Sequence, residues 1–259
     1  FVYAQTISYA IPCVISFCIV LGKVRRFSFH FDLNFLLQIV KKTYPFALLS
    51  LLMSLYTRTD MVMIERMLPD GAKQAGIYAQ SYRILDAVSM FAYLFATLLL
   101  PMFAKMLKDN APLGKFTKFS FLLLLSPVLV FVIGCCSYST ELMELMYEES
   151  IDTSAMIFQV LIIGLIPISS SYIFGTLLTA NNSMKVMNLM AAAGMICNIG
   201  FNAIFIPRYG AWGAAVVSVI TQFFTGIIQI ILSLKYFKFH IPYKDIAKIT
   251  VFIFINLLL

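Results

Sequence analysis

Residues 44–106 read YPFALLSLLMSLYTRTDMVMIERMLPDGAKQAGIYAQSYRILDAVSMFAYLFATLLLPMFAKM, and this stretch decides the fold. Tyr44 to Thr57 is a run of fourteen uncharged residues, too short to cross a hydrocarbon layer that takes about twenty. A spanning helix must therefore continue to about Ile64, which draws Arg58 and Asp60 into the membrane. The next apolar run, roughly Ile84 to Phe103, starts beside Arg83 and carries Asp86 one turn inside. Two consecutive spans thus hold two basic and two acidic side chains, each costing about 3 kcal/mol at a helix centre unless paired or wetted. The candidate site is polar and lies within the membrane.

Working outward, the whole chain has the same character. It is 61% hydrophobic and only 12% charged, with a mean hydropathy of +0.91. A soluble domain carries about twice that charged fraction. The fold class is therefore all-α, a polytopic transmembrane helical bundle. The chain begins and ends inside apolar runs, so it reads as a fragment with no signal peptide to interpret.

Eight spans are predicted: about Val2 to Leu21, Tyr44 to Ile64, Ala75 to Ala104, Phe119 to Tyr138, Ala155 to Leu178, Met187 to Ile206, Ala214 to Leu234, and Ile249 onward. The connections between them alternate strictly in charge. One set carries fourteen Lys and Arg residues, among them Lys23, Arg25, Arg26, Lys41, Lys42, Lys105, Lys118, Lys185, Lys244 and Lys248. The other carries Arg66, Lys73 and Arg208 alongside the acidic run Glu141, Glu144, Glu148, Glu149 and Asp152. Basic loops stay in the cytoplasm, which fixes the orientation and accounts for the net charge of +7 without nucleic acid. Three segments result: residues 1–21 as the last span of a first lobe, 22–43 as a basic amphipathic linker on the cytoplasmic side, and 44–259 as a second transmembrane lobe.

Within the linker, Leu33, Leu36, Leu37 and Val40 recur at helical spacing with Lys41 and Lys42 turned away, the pattern of a helix lying among inner headgroups. A lead-in turn continuous with the second span fits the same pattern, although Pro45 argues for a break. Pro101, Pro127 and Pro167 interrupt other spans as kinks or bending points. Gly194, Asn198 and Asn202 form a stripe at four-residue spacing, suited to interhelical hydrogen bonds or to a polar substrate. Gln159, Ser169, Ser170, Ser171, Gln222 and Gln229 add polar positions consistent with a wet interior. Cys13, Cys18, Cys135, Cys136 and Cys197 fall in apolar stretches without metal-ligand spacing and read as small core-facing residues.

Arg58 and Asp60 stand about 200° apart around a helix and cannot meet, so each needs a partner elsewhere. Arg83 and Asp86, three apart, can pair along one face with Tyr82 on nearly the same side. If the two spans are adjacent and antiparallel across the short loop from Glu65 to Gln74, Arg58 comes near Asp86 or Asp60 near Arg83. Two readings stay open. The four charges form a network holding helices together, with Arg83 snorkelling outward. Alternatively Arg58, and secondarily Arg83, offers guanidinium donors to a phosphate in a water-filled cavity, while Asp60 or Asp86 holds the arginine or takes up a coupling ion. No catalytic residues or metal ligands are expected. His30 and His240 sit among basic residues at the inner surface, and no nucleophile, phosphate-loop or metal motif appears.

Several local signatures together resemble a known family. They are the span ending with Asp60, Gly76-Ile77-Tyr78-Ala79 opening the next span, which closes near Pro101, and Thr179-Ala180-Asn181-Asn182-Ser183-Met184-Lys185. Asn198 and Asn202 follow, then Pro207-Arg208-Tyr209-Gly210-Ala211-Trp212-Gly213-Ala214-Ala215. The set resembles the second half of bacterial oligosaccharide flippases, the polysaccharide exporters of the multidrug/oligosaccharidyl-lipid/polysaccharide superfamily. Two positions depart from the pattern: Asn182 stands where glycine is usual, and Trp212 replaces a smaller residue.

The resemblance implies a two-lobed, alternating-access transporter of the bacterial cytoplasmic membrane. It would flip a polyprenyl-diphosphate-linked oligosaccharide to the outer leaflet for cell-surface polysaccharide assembly, without ATP hydrolysis or a cofactor. Its partners would be that lipid-linked substrate, membrane lipids and other polysaccharide-assembly proteins. An organic-cation antiporter of the same superfamily and a membrane-embedded polysaccharide polymerase remain as alternatives.

Overall fold

The computed structural model describes residues 2–23 and 32–238, and among them every regular element is an α-helix. The order is α1 (Val2–Lys23), α2 (Leu33–Met67), α3 (Gly71–Lys108), α4 (Leu113–Ser137), α5 (Ser139–Met146), α6 (Ile151–Ile163), α7 (Leu165–Ala180) and α8 (Met184–Phe237). Helices are what apolar runs of this length must form in lipid, where each backbone group needs an internal partner. The chain divides into two compact units, Phe1–Thr43 and Tyr44–Leu259, with the boundary inside α2.

At 54 residues α8 would measure about 80 Å, far more than one span of about 30 Å. It is two spans. Gly210, at φ 62 and ψ −145, breaks it in a conformation reserved for glycine. The arms then fold back on each other, since Asn198 reaches Thr221 and a Cβ at Gly194 would touch Thr225. The first seven expected spans therefore correspond to α1, α2, α3, α4, α6 with α7, and the two arms of α8. The expected span from Ile249, with Arg25, Arg26, His30, His240, Lys244 and Lys248, lies outside the described residues.

The span expected to be interrupted at Pro167 consists of α6 and α7 meeting at Gly164. Proline lacks the N–H that would bond the carbonyl of Ile163, and a Cβ at Gly164 would lie 2.2 Å from the Gln222 side chain that packs there. Of the two readings left open before Pro45, residues 33–43 take the lead-in: α2 runs unbroken from Leu33 to Met67, and Asn188 donates to the Pro45 carbonyl at 3.0 Å. One expectation needs correction: Cys13 and Cys18 are exposed on α1 rather than core-facing, while Cys135 is buried.

The turns are closed by specific residues. Between α2 and α3, Gly71 is required because a Cβ there would lie 2.2 Å from the Glu65 carbonyl oxygen. α3 and α7 end in the same way. Asn110 and Asn182 take φ 51 and 57, and the following Ala111 and Ser183 donate back to Met106 and Leu178. This is the Schellman motif, whose left-handed residue is usually glycine and sometimes asparagine. It explains why Asn182 can stand where the resembled family has glycine.

Two apolar clusters hold the second unit together. One gathers Ile64, Tyr78, Leu85, Phe158, Leu161, Ile206 and Ala214 from α2, α3, α6 and α8, and the other Leu99, Phe103, Leu113, Ile173 and Leu177 from α3, α4 and α7. The polar side chains lie between and beside them.

Candidate functional site

The 200° separation of Arg58 and Asp60 on α2 sends them into different environments. Asp60 points into the bundle and is 1% exposed. Its carboxylate accepts hydrogen bonds from Tyr78 Oη on α3 at 3.0 Å and from Asn202 Nδ2 on the first arm of α8 at 2.7 Å. Ser218 Oγ on the second arm of α8 is a third donor. Asn202 Nδ2 also donates to Asn198 Oδ1 at 3.0 Å, and Asn198 reaches Thr221 Oγ1, which accepts from Tyr56 at 3.2 Å. Three helices, one of them contributing both arms of a hairpin, thus converge on one carboxylate through neutral groups alone. Asn202 Oδ1 remains buried without a partner.

Arg58 points the other way. Its Nη2 lies 3.4 Å from Asp86 Oδ2 on α3, with side chains 60% and 48% exposed. Of the two pairings that antiparallel packing allowed, the structure adopts this one. Asp60 is not near Arg83 but among hydroxyls and amides, and Asp86 pairs across helices with Arg58 rather than along α3. Arg83 is exposed and belongs to neither group. Asn198 and Asn202 are 1% and 0% exposed, so in this conformation they line a sealed polar cluster, not an open cavity. Gln222, Gln229 and Ser169 are likewise buried, with atoms lacking partners.

Sequence reasoning marked Asp60, Asn198 and Asn202 separately and did not join them. It missed Tyr56, Ser218 and Thr221 altogether. Ser218 and Thr221 sit one turn apart on the face of α8 that also carries Gln222, a spacing visible in the sequence once the hairpin at Gly210 is recognised.

Residues 1–107 match the profile of the family described as polysaccharide biosynthesis protein. The capsular polysaccharide biosynthesis protein CapF of Staphylococcus aureus is 27% identical over 228 residues, which cover 82% of this chain and 55% of CapF. The lipid II flippase MurJ in an inward closed conformation superposes with a TM-score of 0.73 at 19% identity, over 98% of this chain and 54% of MurJ. An outward-facing multidrug resistance MATE family transporter of the MOP superfamily gives 0.63 at 18% identity, over 74% of this chain and 43% of its own. The chain shares its fold with MurJ and with the MATE transporter, and its first 107 residues carry the sequence match to the polysaccharide biosynthesis protein family. It spans about half the length of the relatives it matches.

The two charged groups differ in chemistry. A carboxylate sealed among neutral donors is a high-stakes arrangement, because charge without a counter-charge is costly inside a low-dielectric bundle. In this conformation Tyr78, Ser218 and Asn202 present donors to it; with the hydroxyls rotated and the Asn202 amide turned over, the same groups would present hard oxygen atoms beside the carboxylate. Such a donor set suits a small hard cation, and the unpartnered Asn202 Oδ1 is an acceptor in reserve. The Arg58–Asp86 pair is open, so its guanidinium can exchange partners without breaking the core. Mid-span charges that face outward from a bundle are stable only against water or other protein, not lipid.

Proposed function

We propose that this chain forms the second lobe of a transporter that flips a polyprenyl-diphosphate-linked oligosaccharide from the cytoplasmic to the outer leaflet of a bacterial cytoplasmic membrane. Arg58 offers its planar fork to the diphosphate, with Arg83 one turn outward as a second cationic contact, while Asp86 holds Arg58 in position. Asp60, with Asn198 and Asn202, takes up the coupling ion. Flipping makes and breaks no covalent bond, so the reading needs neither a catalytic residue nor a cofactor. Membrane lipids and other polysaccharide-assembly proteins are the expected partners.

One observation carries the reading. A single helix places a sealed carboxylate and an open guanidinium two residues apart within the membrane. Ion occupancy at Asp60 and cargo occupancy at Arg58 are thereby mechanically tied through α2. The likeness to CapF and to MurJ supports the cargo class.

The test is genetic. In cells lacking the full-length protein, lipid-linked repeat units should accumulate in the cytoplasmic leaflet and surface polysaccharide should vanish. The intact gene should restore both and an Arg58→Gln gene neither. Unchanged surface polysaccharide in the deletion strain overturns the proposal. The organic-cation antiporter reading draws on the acidic Asp60 cluster and the MATE-like fold, and predicts instead a loss of cationic dye efflux in the same strain.

A further inference from the structure

The exposed surface of α3 is divided lengthwise. Asp86, Met90, Tyr93 and Thr97 follow one another at spacings of four, three and four and so lie on one narrow line of the helix. All four are exposed. About 100° around the helix, Ala87, Phe91, Leu94 and Leu98 form a second exposed line that is wholly apolar. The apolar line is what lipid contact requires. The first begins at the Arg58–Asp86 pair and, past Met90, carries the Tyr93 phenol and Thr97, whose hydroxyl is donated to the Leu94 carbonyl; the charge and the phenol are what lipid disfavours.

α7 lies beside this line and extends it. Tyr172 packs edge-on against Tyr93, with ring centroids 6.0 Å apart and planes at 63°. One and two turns further along α7, Thr176 and Thr179 are half-buried on the same side. Tyr93 itself is 53% exposed. It stands two helical turns, about 10 Å, from Asp86 along α3. A pair of phenol rings half-open to a polar surface is a poor lipid contact, since each ring carries a hydroxyl that needs water or a partner.

We propose that the Tyr93–Tyr172 pair is a saccharide-stacking subsite of the transport path. The C–H face of a pyranose packs against an aromatic ring, the phenol hydroxyls bond the equatorial hydroxyls at its edge, and the threonine oxygens, whose protons are donated to carbonyls of their own helices, accept from them. This rests on the flippase reading and deepens it. With the diphosphate at Arg58, the sugars attached to it extend along the only exposed polar line that α3 presents among its described residues. Charge at one end and aromatic rings at the other match the two ends of a lipid-linked glycan headgroup. Because the rings contact C–H faces rather than a particular hydroxyl pattern, the subsite grips pyranoses as a class.

The test uses the full-length protein in detergent and two probes. One is undecaprenyl diphosphate and the other the lipid-linked repeat unit extracted from the strain that makes it. Tyr93→Leu and Tyr172→Leu keep apolar bulk and remove the ring, while Tyr93→Phe and Tyr172→Phe keep the ring and remove the hydroxyl. The leucine variants should bind the sugar-bearing lipid about tenfold more weakly and sugar-free undecaprenyl diphosphate as before, and the phenylalanine variants should recover most of the loss. Thermal unfolding temperature, measured alongside, should be unchanged in the Tyr93 variants, because Tyr93 is 53% exposed. The packing control is therefore read on Tyr93 and not on the half-buried Tyr172. If the intact protein binds the sugar-bearing lipid and the leucine variants bind it equally well, the subsite is overturned and the flippase reading stands. Equal weakening of both probes, or a fall in unfolding temperature with the loss of binding, assigns the pair to packing and overturns the subsite as well. If the intact protein binds neither lipid, the flippase reading fails and takes the subsite with it.

Discussion

Replacing Asp60 separates the packing role that its hydrogen bonds show from the coupling role proposed for it. In Asp60→Ala the hydroxyls of Tyr78 and Ser218 and the amide of Asn202 lose their common acceptor. Each loss involves a charged acceptor and is worth about 1.5–3 kcal/mol. Part is recovered, because Tyr78 and Ser218 lie 3.3 Å apart and can bond each other, and Asn202 keeps Asn198. A net destabilisation of about 3 kcal/mol is expected after this re-pairing. In Asp60→Asn the amide oxygen still accepts from two of the donors. Its new N–H groups find an acceptor in Asn202 Oδ1, which has no partner now. That variant should lose about 1 kcal/mol or less. The unfolding temperature of the full-length protein in detergent, followed by circular dichroism, should therefore drop by roughly 3–6 °C for alanine and by about 2 °C or less for asparagine. Both should fail to transport, because neither carries a charge for the coupling ion. An alanine variant that melts with the intact protein would refute the reasoning, since Asp60 would then not be holding α2, α3 and α8 together. An asparagine variant that transports at the normal rate would refute the coupling role alone.

Arg58→Gln should leave folded yield within about 1 kcal/mol of the original, because its ion pair is solvent-exposed, and should abolish transport in the surface-polysaccharide assay. Arg58→Lys should recover only part of the activity, since the ammonium lacks the bidentate fork. Gly71→Ala should reduce detergent-solubilised yield sharply, because its Cβ would meet the Glu65 backbone at 2.2 Å. Gly76→Ala, five residues on and open on all sides, should be neutral or stabilise α3 by up to about 1 kcal/mol. Gly210→Ala should cost about 1–3 kcal/mol through its positive φ, read as a lower unfolding temperature with the helix content of the surviving fold intact.

The spans were legible because the bilayer imposes a length and a composition that no other environment demands. The short outer loop between α2 and α3 forced those helices to be neighbours, which narrowed the partners of Arg58 to a choice the structure resolves in favour of Asp86. The α6–α7 break was legible only as a proline. Its glycine hinge depends on where Gln222 of another helix reaches, and that is a tertiary fact. Asp60 was found because an acid inside a span stands out against its surroundings. Its neutral partners were hidden for the opposite reason. Ser218 and Thr221 look like any small hydroxyl residues in a transmembrane helix, where such side chains commonly bond their own backbone, as Thr221 also does to Val217. Only the folding back of α8 at Gly210 brings them to the carboxylate. The aromatic pair was invisible for the same reason, since Tyr93 and Tyr172 belong to different spans and only packing makes them one surface.

The central claim, that a lipid-linked glycan crosses the membrane along charges held within these helices, is tested most directly by flipping in vesicles. The full-length protein is reconstituted with the lipid-linked repeat unit, the sugar exposed on the outer leaflet is destroyed with a membrane-impermeant glycosidase, and the sugar arriving from the inner leaflet is followed with time. Vesicles with the intact protein should lose nearly all the glycan, and protein-free vesicles and those with Arg58→Gln should stop at the outer half. Intact protein that leaves the inner half protected, under gradients of either sign of proton or sodium, would contradict the account.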